Sequence, residues 1–445
     1  MKITIAGTGY VGLVTGVCLA EVGHENVVCL DVDKQKVDLM KDGVSPIYEE
    51  HLEELMKKNY EKGRIDYTTN YKDAYKDSDI IMIAVGTPER SDGSANLDYV
   101  YAVCDNIAES LENDCVVVVK STVPIGTNDA VEKYLREHVK KGIKVSVASN
   151  PEFLAQGTAV RDTLHASRIV VGTEDDFARE VMEEVYRPLT QDEYNVPYLS
   201  MDRRSAEMVK YASNDFLALK ISYINEISNL CEHVGANISD VTRGMSYDKR
   251  IGDKFLNSGI GYGGSCFPKD TKALHFLSCK FDSELLTVKA CIDVNKKQKL
   301  RLFNRLKEDY GTKCLKNLNV AVLGASFKPG TDDLREAPSI DNVRALLDYG
   351  ANVTIYDPVS LDNFHKLFGD TINYCENIDD CVKDKDLVMI MTEWPSIKNY
   401  DPNNYVKLMK KAIIYDGRNC YPINMMKNLK VNYISMGRGE IDNLD

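Results

Sequence analysis

One hexapeptide, Gly7-Thr8-Gly9-Tyr10-Val11-Gly12, constrains this chain more than any other stretch. It directly follows a short β-branched run, Lys2–Ala6, and opens a helical stretch, Leu13–Val22. The next strand-like run, Val27–Asp31, ends in an acid at the roughly 20-residue distance that a dinucleotide-binding βαβ unit requires. Gly7 allows the tight turn, and Gly9 lets the backbone approach a pyrophosphate. That anion would sit at a helix N-terminus, where free N–H groups and the helix dipole favour negative charge. Asp31 can accept hydrogen bonds from ribose hydroxyls and repels a 2′-phosphate, which points to NAD rather than NADP. Lys34 and Lys36 pull the other way, since either can pair with a phosphate. A glycine turn that binds nothing shares the glycines but not the strand, helix and acid around them.

The rest of the chain extends this pattern. Strand-like runs recur at Ile80–Val85, Cys115–Lys120, Lys144–Ala148 and Ile169–Gly172, with helical stretches between them. Such alternation predicts a mostly parallel sheet covered on both faces. Near Asp202 the pattern changes. Ser205–Val234 carries no Gly or Pro, and its apolar residues recur every three to five positions, which predicts one long helix ended by Gly235. Further helix is expected over Ile238–Met245, Lys269–Cys279 and Glu284–Tyr310. From Asn319 the strand–helix alternation resumes, with strands expected at Asn319–Leu323, Asn352–Asp357, Leu387–Met391, Ala412–Asp416 and Asn432–Met436 and a helix near Ile340–Tyr349. The expected fold is thus α/β, two Rossmann-like doubly wound domains joined by a central helical domain with one long helix. The boundaries fall at residues 1–200, 201–312 and 313–445, and the tail from Gly437 is expected to be mobile.

The 445 residues include 55 Lys and Arg against 68 Asp and Glu, a net charge of -13. That balance argues against a general nucleic-acid or anionic-membrane binder. No apolar run approaches the roughly 18 residues of a membrane span. Gly7, Gly9 and Gly12 break the N-terminal apolar run, and no small-residue cleavage site follows, so a signal peptide is not expected. The twelve cysteines are scattered and form no CxxC pair. They suit a reduced, cytoplasmic protein whose thiols mostly pack as small hydrophobes, with no metal site expected.

Polar turns follow two of the expected strands, at Gly86-Thr87-Pro88 and Ser121-Thr122-Val123-Pro124. Ligands of open α/β sheets bind beyond the strands' carboxyl ends, which makes Thr87 and Thr122 candidate cofactor contacts. The segment Gly259-Ile260-Gly261-Tyr262-Gly263-Gly264-Ser265-Cys266-Phe267-Pro268-Lys269-Asp270 carries the chemistry. Its glycines permit close approach of a ligand, and Pro268 suits the first turn of a helix. Cys266 then lies at a helix N-terminus beside Lys269, and both features favour the nucleophilic thiolate. Asp270, four residues on, returns toward the same face. Lys210 and Asn214 share a stripe of the long helix and could stabilise an oxyanion, although on spacing alone a solvated helix face is the preferred reading.

Collinear motifs extend this set along nearly the whole chain. They are the GxGxxG, Ser45-Pro46-Ile47-Tyr48-Glu49, Gly86-Thr87-Pro88, Ser121–Thr127, Asn150-Pro151-Glu152-Phe153-Leu154, Gly263–Asp270 and Phe327-Lys328-Pro329 with Asp332–Glu336. With these the chain resembles the UDP-glucose/GDP-mannose dehydrogenase family. The resemblance implies oxidation of a nucleotide-sugar C6 alcohol to a carboxylate with two NAD+ and a water. Cys266 would be the nucleophile, through a thiohemiacetal and a thioester. Lys210 and Asn214 would stabilise the developing oxyanions. Asp270 and Glu152 would handle protons, with Thr122 helping to hold a water. It implies cofactor contacts at Gly7, Gly9, Tyr10, Val11, Gly12, Asp31, Lys36, Thr87, Thr122, Glu152, Lys269 and Arg335. Substrate contacts are implied at Glu152, Phe153, Leu154, Lys210, Asn214, Phe255, Leu256, Asn257, Ser258, Gly259, Gly263 and Lys328, as is a homodimer packed on the long helix. Tyr262 and Phe267 favour UDP-glucose as substrate, with GDP-mannose or a UDP-N-acetylhexosamine as the alternatives. A β-hydroxyacid dehydrogenase would share the first domain and the Lys/Asn helix but has no use for Cys266. A non-catalytic NAD-binding module would lack use for the whole catalytic set. The chain departs from the family pattern at Ala155-Gln156-Gly157, Glu50-His51 and Gly324-Ala325-Ser326. None of these changes removes a chemical group the mechanism needs, but the first alters the surroundings of the sugar.

Overall fold

Apolar runs of four or five residues, too short for buried helices, form the strands of two sheets. The structure, a computed structural model, describes residues 1–191, 194–311 and 315–444. It divides into two units, Met1–Ser213 and Asn214–Asp445.

The first unit holds β1 (Ile3–Ala6), β2 (Val27–Leu30), β3 (Ile65–Thr68), β4 (Ile80–Ile83), β5 (Cys115–Val119), β6 (Val145–Ser149), β7 (Ile169–Thr173) and β8 (Tyr198–Met201). Their order is β3-β2-β1-β4-β5-β6-β7-β8, parallel throughout except between β6 and β7. Alternate side chains feed two cores, which is why the central strands are apolar at every position. Ile80, Met82, Val116 and Val118 pack on one face, and Ile81, Ile83, Val117 and Val119 on the other. Sequence expectation misses β3 and β8, both edge strands. In β3 the pattern Ile65-Asp66-Tyr67 alternates buried and exposed residues instead of running apolar.

The second unit repeats the plan with β9 (Asn319–Leu323), β10 (Asn352–Tyr356), β11 (Asn373–Cys375), β12 (Leu387–Ile390), β13 (Ile413–Asp416), β14 (Asn432–Ser435) and β15 (Ile441–Asp442), in the order β11-β10-β9-β12-β13-β14-β15. The long helix runs Arg203–Val234, about 48 Å at 1.5 Å per residue. Gly235 follows it with φ +72°. Two expectations need correction. Glu284–Tyr310 is two helices, Leu286–Lys299 and Arg301–Tyr310. Leu300 leaves helical geometry between them (φ -98°, ψ 7°), and no Gly or Pro marks the break. The tail is ordered through Asn443: β15 pairs antiparallel with β14, and Asn443 N donates to Val431 O at 2.9 Å.

Eight of the cysteines are buried, Cys375 is half-buried, and Cys266 and Cys279 are exposed; Cys314 lies outside the described residues. Among the described residues, no helix is long and apolar enough to cross a membrane.

Candidate active site

At the carboxyl end of β1 the chain turns through Gly7 at φ +99°, a conformation costly for any residue with a Cβ. The helix Tyr10–Glu21 then packs so closely on the turn that a Cβ on Gly12 would lie 1.9 Å from the Gly7 carbonyl oxygen. Gly9 differs. A Cβ there would meet nothing within 4 Å, and the residue caps the helix without a side-chain bond of its own. The open space above Gly9 lies at a helix N-terminus, where free N–H groups and the dipole suit an anion such as a pyrophosphate.

Asp31, at the end of β2, is half-buried. Its Oδ2 accepts from Thr8 N at 2.9 Å and Thr8 Oγ1 at 2.5 Å, and its Oδ1 accepts from Asp33 N at 3.0 Å. Burial pushes its carboxyl up, but these hydrogen bonds and the charge of Lys36 more than offset that, so it lies below its ordinary value. An ionised acid at this edge suits ribose hydroxyls. Thr87 and Thr122 are brought together, Thr87 Oγ1 donating to Thr122 O at 2.8 Å. Behind them, the Glu207 carboxylate accepts from Gly126 N, Asn128 N and Asn128 Nδ2, and so fixes the start of the helix Thr127–His138.

The end of β6 brings in Glu152. Lys210 Nζ donates to Glu152 Oε1 at 2.9 Å and to Glu152 O at 2.7 Å, both side chains being buried. This is a fixed ion pair, not the solvated helix face that spacing alone allowed. Phe153 packs beneath the Arg168 guanidinium, 3.9 Å from the ring centre, and Lys210 Nζ lies 5.5 Å from the same ring. Leu154 N donates to Glu152 Oε2.

Sequence reasoning misses Lys120. It directly follows β5, is buried, and donates to Asn150 Oδ1 at 3.0 Å. Burial pushes its ammonium down to about 8; Glu152 opposes that shift and Lys210 adds to it. The Lys of Lys120-Ser121-Thr122 was the available signal, since a charged residue directly after a fully apolar strand seldom lacks a partner.

In the second unit, Cys266 is the N-cap of the helix Phe267–Lys280, with Pro268 in its first turn and Asp270 N donating to Cys266 O at 2.8 Å. Cys266 is exposed, flanked by the half-buried Ser265 and Phe267, while Tyr262, Gly263, Gly264, Pro268 and Asp270 are buried. Asn214 Nδ2 donates to Asp270 Oδ2 at 2.7 Å, and Lys269 Nζ lies 3.2 Å from Asp270 Oδ1, off the line of a hydrogen bond. The glycine loop before Cys266 is held tightly. Gly264 stands at φ +82° against the Phe327 ring, and its N–H donates to Arg335 O at 2.7 Å. A Cβ on Gly263 would lie 2.5 Å from Glu336 O. Gly259 N donates to Asn225 Oδ1, and Gln298 Nε2 donates to Gly259 O. Of the substrate set, Leu256, Ser258 and Gly259 are buried, whereas Phe255 and Asn257 are exposed. Phe255 lies edge-on to Phe267 at 6.2 Å. Lys328 Nζ lies 5.7 Å from the Phe327 ring, and Arg335 makes a bidentate pair with Asp333. Lys210 and Asn214 are one turn apart on the long helix.

Arg418, also unforeseen, ties this loop to the second sheet. Its guanidinium donates to Met391 O, Gly261 O and Phe327 O. Asp215 is unforeseen too. Its carboxyl is buried with both oxygens lacking a hydrogen-bond partner. Burial, and then the charge of Asp270, pushes it up to about 8.

The chain matches three models of one family. Residues 1–190 match the NAD binding domain of the UDP-glucose/GDP-mannose dehydrogenase family, residues 204–297 its central domain and residues 321–423 its UDP binding domain. The chain belongs to the UDP-glucose/GDP-mannose dehydrogenase family. Relatives share its full length. A UDP-glucose 6-dehydrogenase of Bacillus subtilis (strain 168) is 48% identical over 438 residues, 98% of each chain. One of Rhizobium meliloti (strain 1021) is 44% identical, over 98% of this chain and all of the other. A UDP-glucose dehydrogenase from Pyrobaculum islandicum superposes with a TM-score of 0.91 at 36% identity, covering 98% of each chain. The glycine turn and Asp31 therefore belong to a family NAD-binding domain, and both doubly wound sheets to members of known architecture.

Proposed function

We propose that this dehydrogenase oxidises UDP-glucose to UDP-glucuronate through a covalent bond to Cys266. The observation that carries the reading is an exposed thiol at a helix N-terminus, framed by a rigid glycine loop and followed by a buried Asn214–Asp270 pair. Free helix N–H groups favour the thiolate. NAD+, when bound at the glycine turn, is the hydride acceptor. Gly7, Gly9, Tyr10, Val11 and Gly12 would hold its pyrophosphate, and Asp31 and Lys36 its adenosine end. Thr87, Thr122, Glu152, Lys269 and Arg335 complete its contacts.

Loss of one hydride and one proton would turn the C6 alcohol into an aldehyde, to which Cys266 Sγ adds to give a thiohemiacetal. Loss of a second hydride and proton leaves a thioester that water hydrolyses to the carboxylate, and each hydride is one that a bound NAD+ would accept. Lys210 and Asn214 donate to the oxygen as it gains negative charge. The Glu152 carboxylate, fixed by Lys210, and Asp270, fixed by Asn214, accept and return protons, and Thr122 helps to hold the hydrolytic water. Phe153, Leu154, Phe255–Gly259, Gly263 and Lys328 bind the nucleotide sugar. Full-length similarity to enzymes named for UDP-glucose favours that sugar. A UDP-D-ManNAc dehydrogenase from Pyrococcus horikoshii, by contrast, matches at 25% identity.

The assembly is a homodimer in the cytoplasm. On the long helix Phe216, Tyr223 and Leu230 are 62%, 51% and 55% exposed at seven-residue spacing, an apolar stripe of the kind subunit contacts cover. The many free thiols suit a reducing compartment.

NADH measured to completion with limiting UDP-glucose, beside GDP-mannose and UDP-N-acetylglucosamine, tests the reading. Two NADH per UDP-glucose and little from the others is expected. One per sugar removes the thioester route, and two per molecule of another sugar moves the substrate.

A further inference from the structure

We propose that the far end of the cysteine helix carries a binding site for a divalent transition-metal ion of the zinc class, formed by His275, Cys279 and Glu284. His275 and Cys279 are four residues apart and share one face of the last turns of the helix Phe267–Lys280. The chain then folds straight back. Phe281 N and Ser283 N donate to Ser278 O, Asp282 N donates to Cys279 O, and Leu285 N donates to Ser278 Oγ. This turn sets Glu284 beside the imidazole.

One nitrogen, one sulfur and one oxygen thus lie within 4.8 Å of one another. His275 Nε2 is 3.4 Å from Glu284 Oε1 and 3.9 Å from Cys279 Sγ. A tetrahedral zinc ion, with bonds of about 2.0 Å to nitrogen and oxygen and about 2.3 Å to sulfur, holds such pairs roughly 3.3 and 3.5 Å apart. The two pairs that involve His275 need to close by only a few tenths of an ångström, and the Cys279–Glu284 pair, within 4.8 Å, closes by rotation of two exposed side chains, which completes three ligands around an ion and leaves a fourth position for water. The donor set excludes magnesium and calcium, which take oxygen ligands, and suits borderline ions. Cys279 and Glu284 are exposed and His275 partly so, which leaves the ion a way in. The site is separate from the nucleophile. Cys279 stands about 20 Å along the helix from Cys266 at 1.5 Å per residue.

Lys289 is the competitor. Its Nζ lies 3.0 Å from Glu284 Oε1, so the ammonium neutralises the carboxylate that the ion would otherwise claim. Removing that ammonium strengthens metal binding, the opposite of what it would do to a purely structural salt bridge.

Titrating the metal-free full chain with cobalt(II) provides the test. One saturating equivalent is expected, with a sulfur-to-cobalt charge-transfer band and the intense visible bands of a four-coordinate ion, reversed by zinc. Cys279→Ser removes the charge-transfer band, and His275→Ala and Glu284→Gln each weaken binding by about tenfold or more. Lys289→Met tightens it. Cys266→Ala leaves the band in place. The circular dichroism of each variant, expected to match that of the parent, keeps a folding defect from passing as a lost ligand. A band that survives Cys279→Ser, disappears with Cys266→Ala, or never saturates overturns the proposal.

Discussion

Replacing Asp215 by Asn stabilises the protein, and by an amount that grows with pH. Asp215 is 6% exposed, and neither of its oxygens has a hydrogen-bond partner. Burial and the nearby charge of Asp270 push its carboxyl from 3.8 up to about 8. An acid raised in the folded state binds more protons there than in the unfolded chain, so stability falls as pH rises between the two values. At pH 7 the unfolded chain has released this proton and the folded chain still holds it. Each unit of pH above 3.8 costs about 1.4 kcal/mol, hence about 4 kcal/mol at pH 7 and less than about 2 at pH 5. These are ceilings, because relaxation and water entry lower the cost of a buried charge. Asn has nearly the same shape and no charge, so Asp215→Asn escapes the penalty. Thermal unfolding of parent and variant from pH 5 to 8 provides the assay. For a unit of this size, 1 kcal/mol corresponds to about 2–4 °C. The gap should widen by several degrees from pH 5 to 7 and flatten above pH 8. Asp270→Asn in both backgrounds should narrow it, since it removes the second cause. A gap that does not depend on pH, or a variant less stable than the parent at pH 7, refutes the reasoning.

Gly9→Ala leaves the melting temperature of the cofactor-free enzyme unchanged yet raises KM for NAD+ at least several-fold, because its Cβ enters the space left for the pyrophosphate. Gly12→Ala instead unfolds the turn, losing about 1–3 kcal/mol or more of stability in a denaturant titration, since its Cβ strikes the Gly7 carbonyl. Cys266→Ala lowers turnover by about a thousandfold or more in an NADH assay, whereas Cys266→Ser accumulates a sugar adduct visible by mass spectrometry. Lys120 is depressed in the folded chain to about 8, so the parent should gain stability relative to Lys120→Met as pH rises from 8 to 10, readable from urea midpoints.

Much of the fold was legible because its strands are buried on both faces. Cys115–Val119 and Asn319–Leu323 are near-continuous apolar runs that no exposed helix would tolerate. What escaped lay at the edges, where Ile65–Thr68 and Asn373–Cys375 are only partly buried, or at Leu300, where packing breaks a helix that its periodicity would continue. In the site, glycines and Cys266 stood out because their backbone and chemical demands are local. Lys120, Asp215 and Arg418 did not, because each owes its character to burial by segments remote in sequence. The Lys210–Glu152 pair illustrates the same limit: spacing gave a helix stripe, and only folding turned it into a buried ion pair.

The segment that follows β14 has a consequence for how the second unit is held closed. Beyond β14, Gly437 N donates to Glu232 Oε1 and Ile238 N donates to Gly437 O, while a Cβ on Gly437 would lie 2.2 Å from Ser228 Oγ. Gly437 and β15 together therefore clasp the end of the long helix to the rim of the second sheet. A chain cut before Gly437 would lose these contacts together with β15. Loss of β15 alone would leave β14 as a bare edge, open to pairing with another molecule.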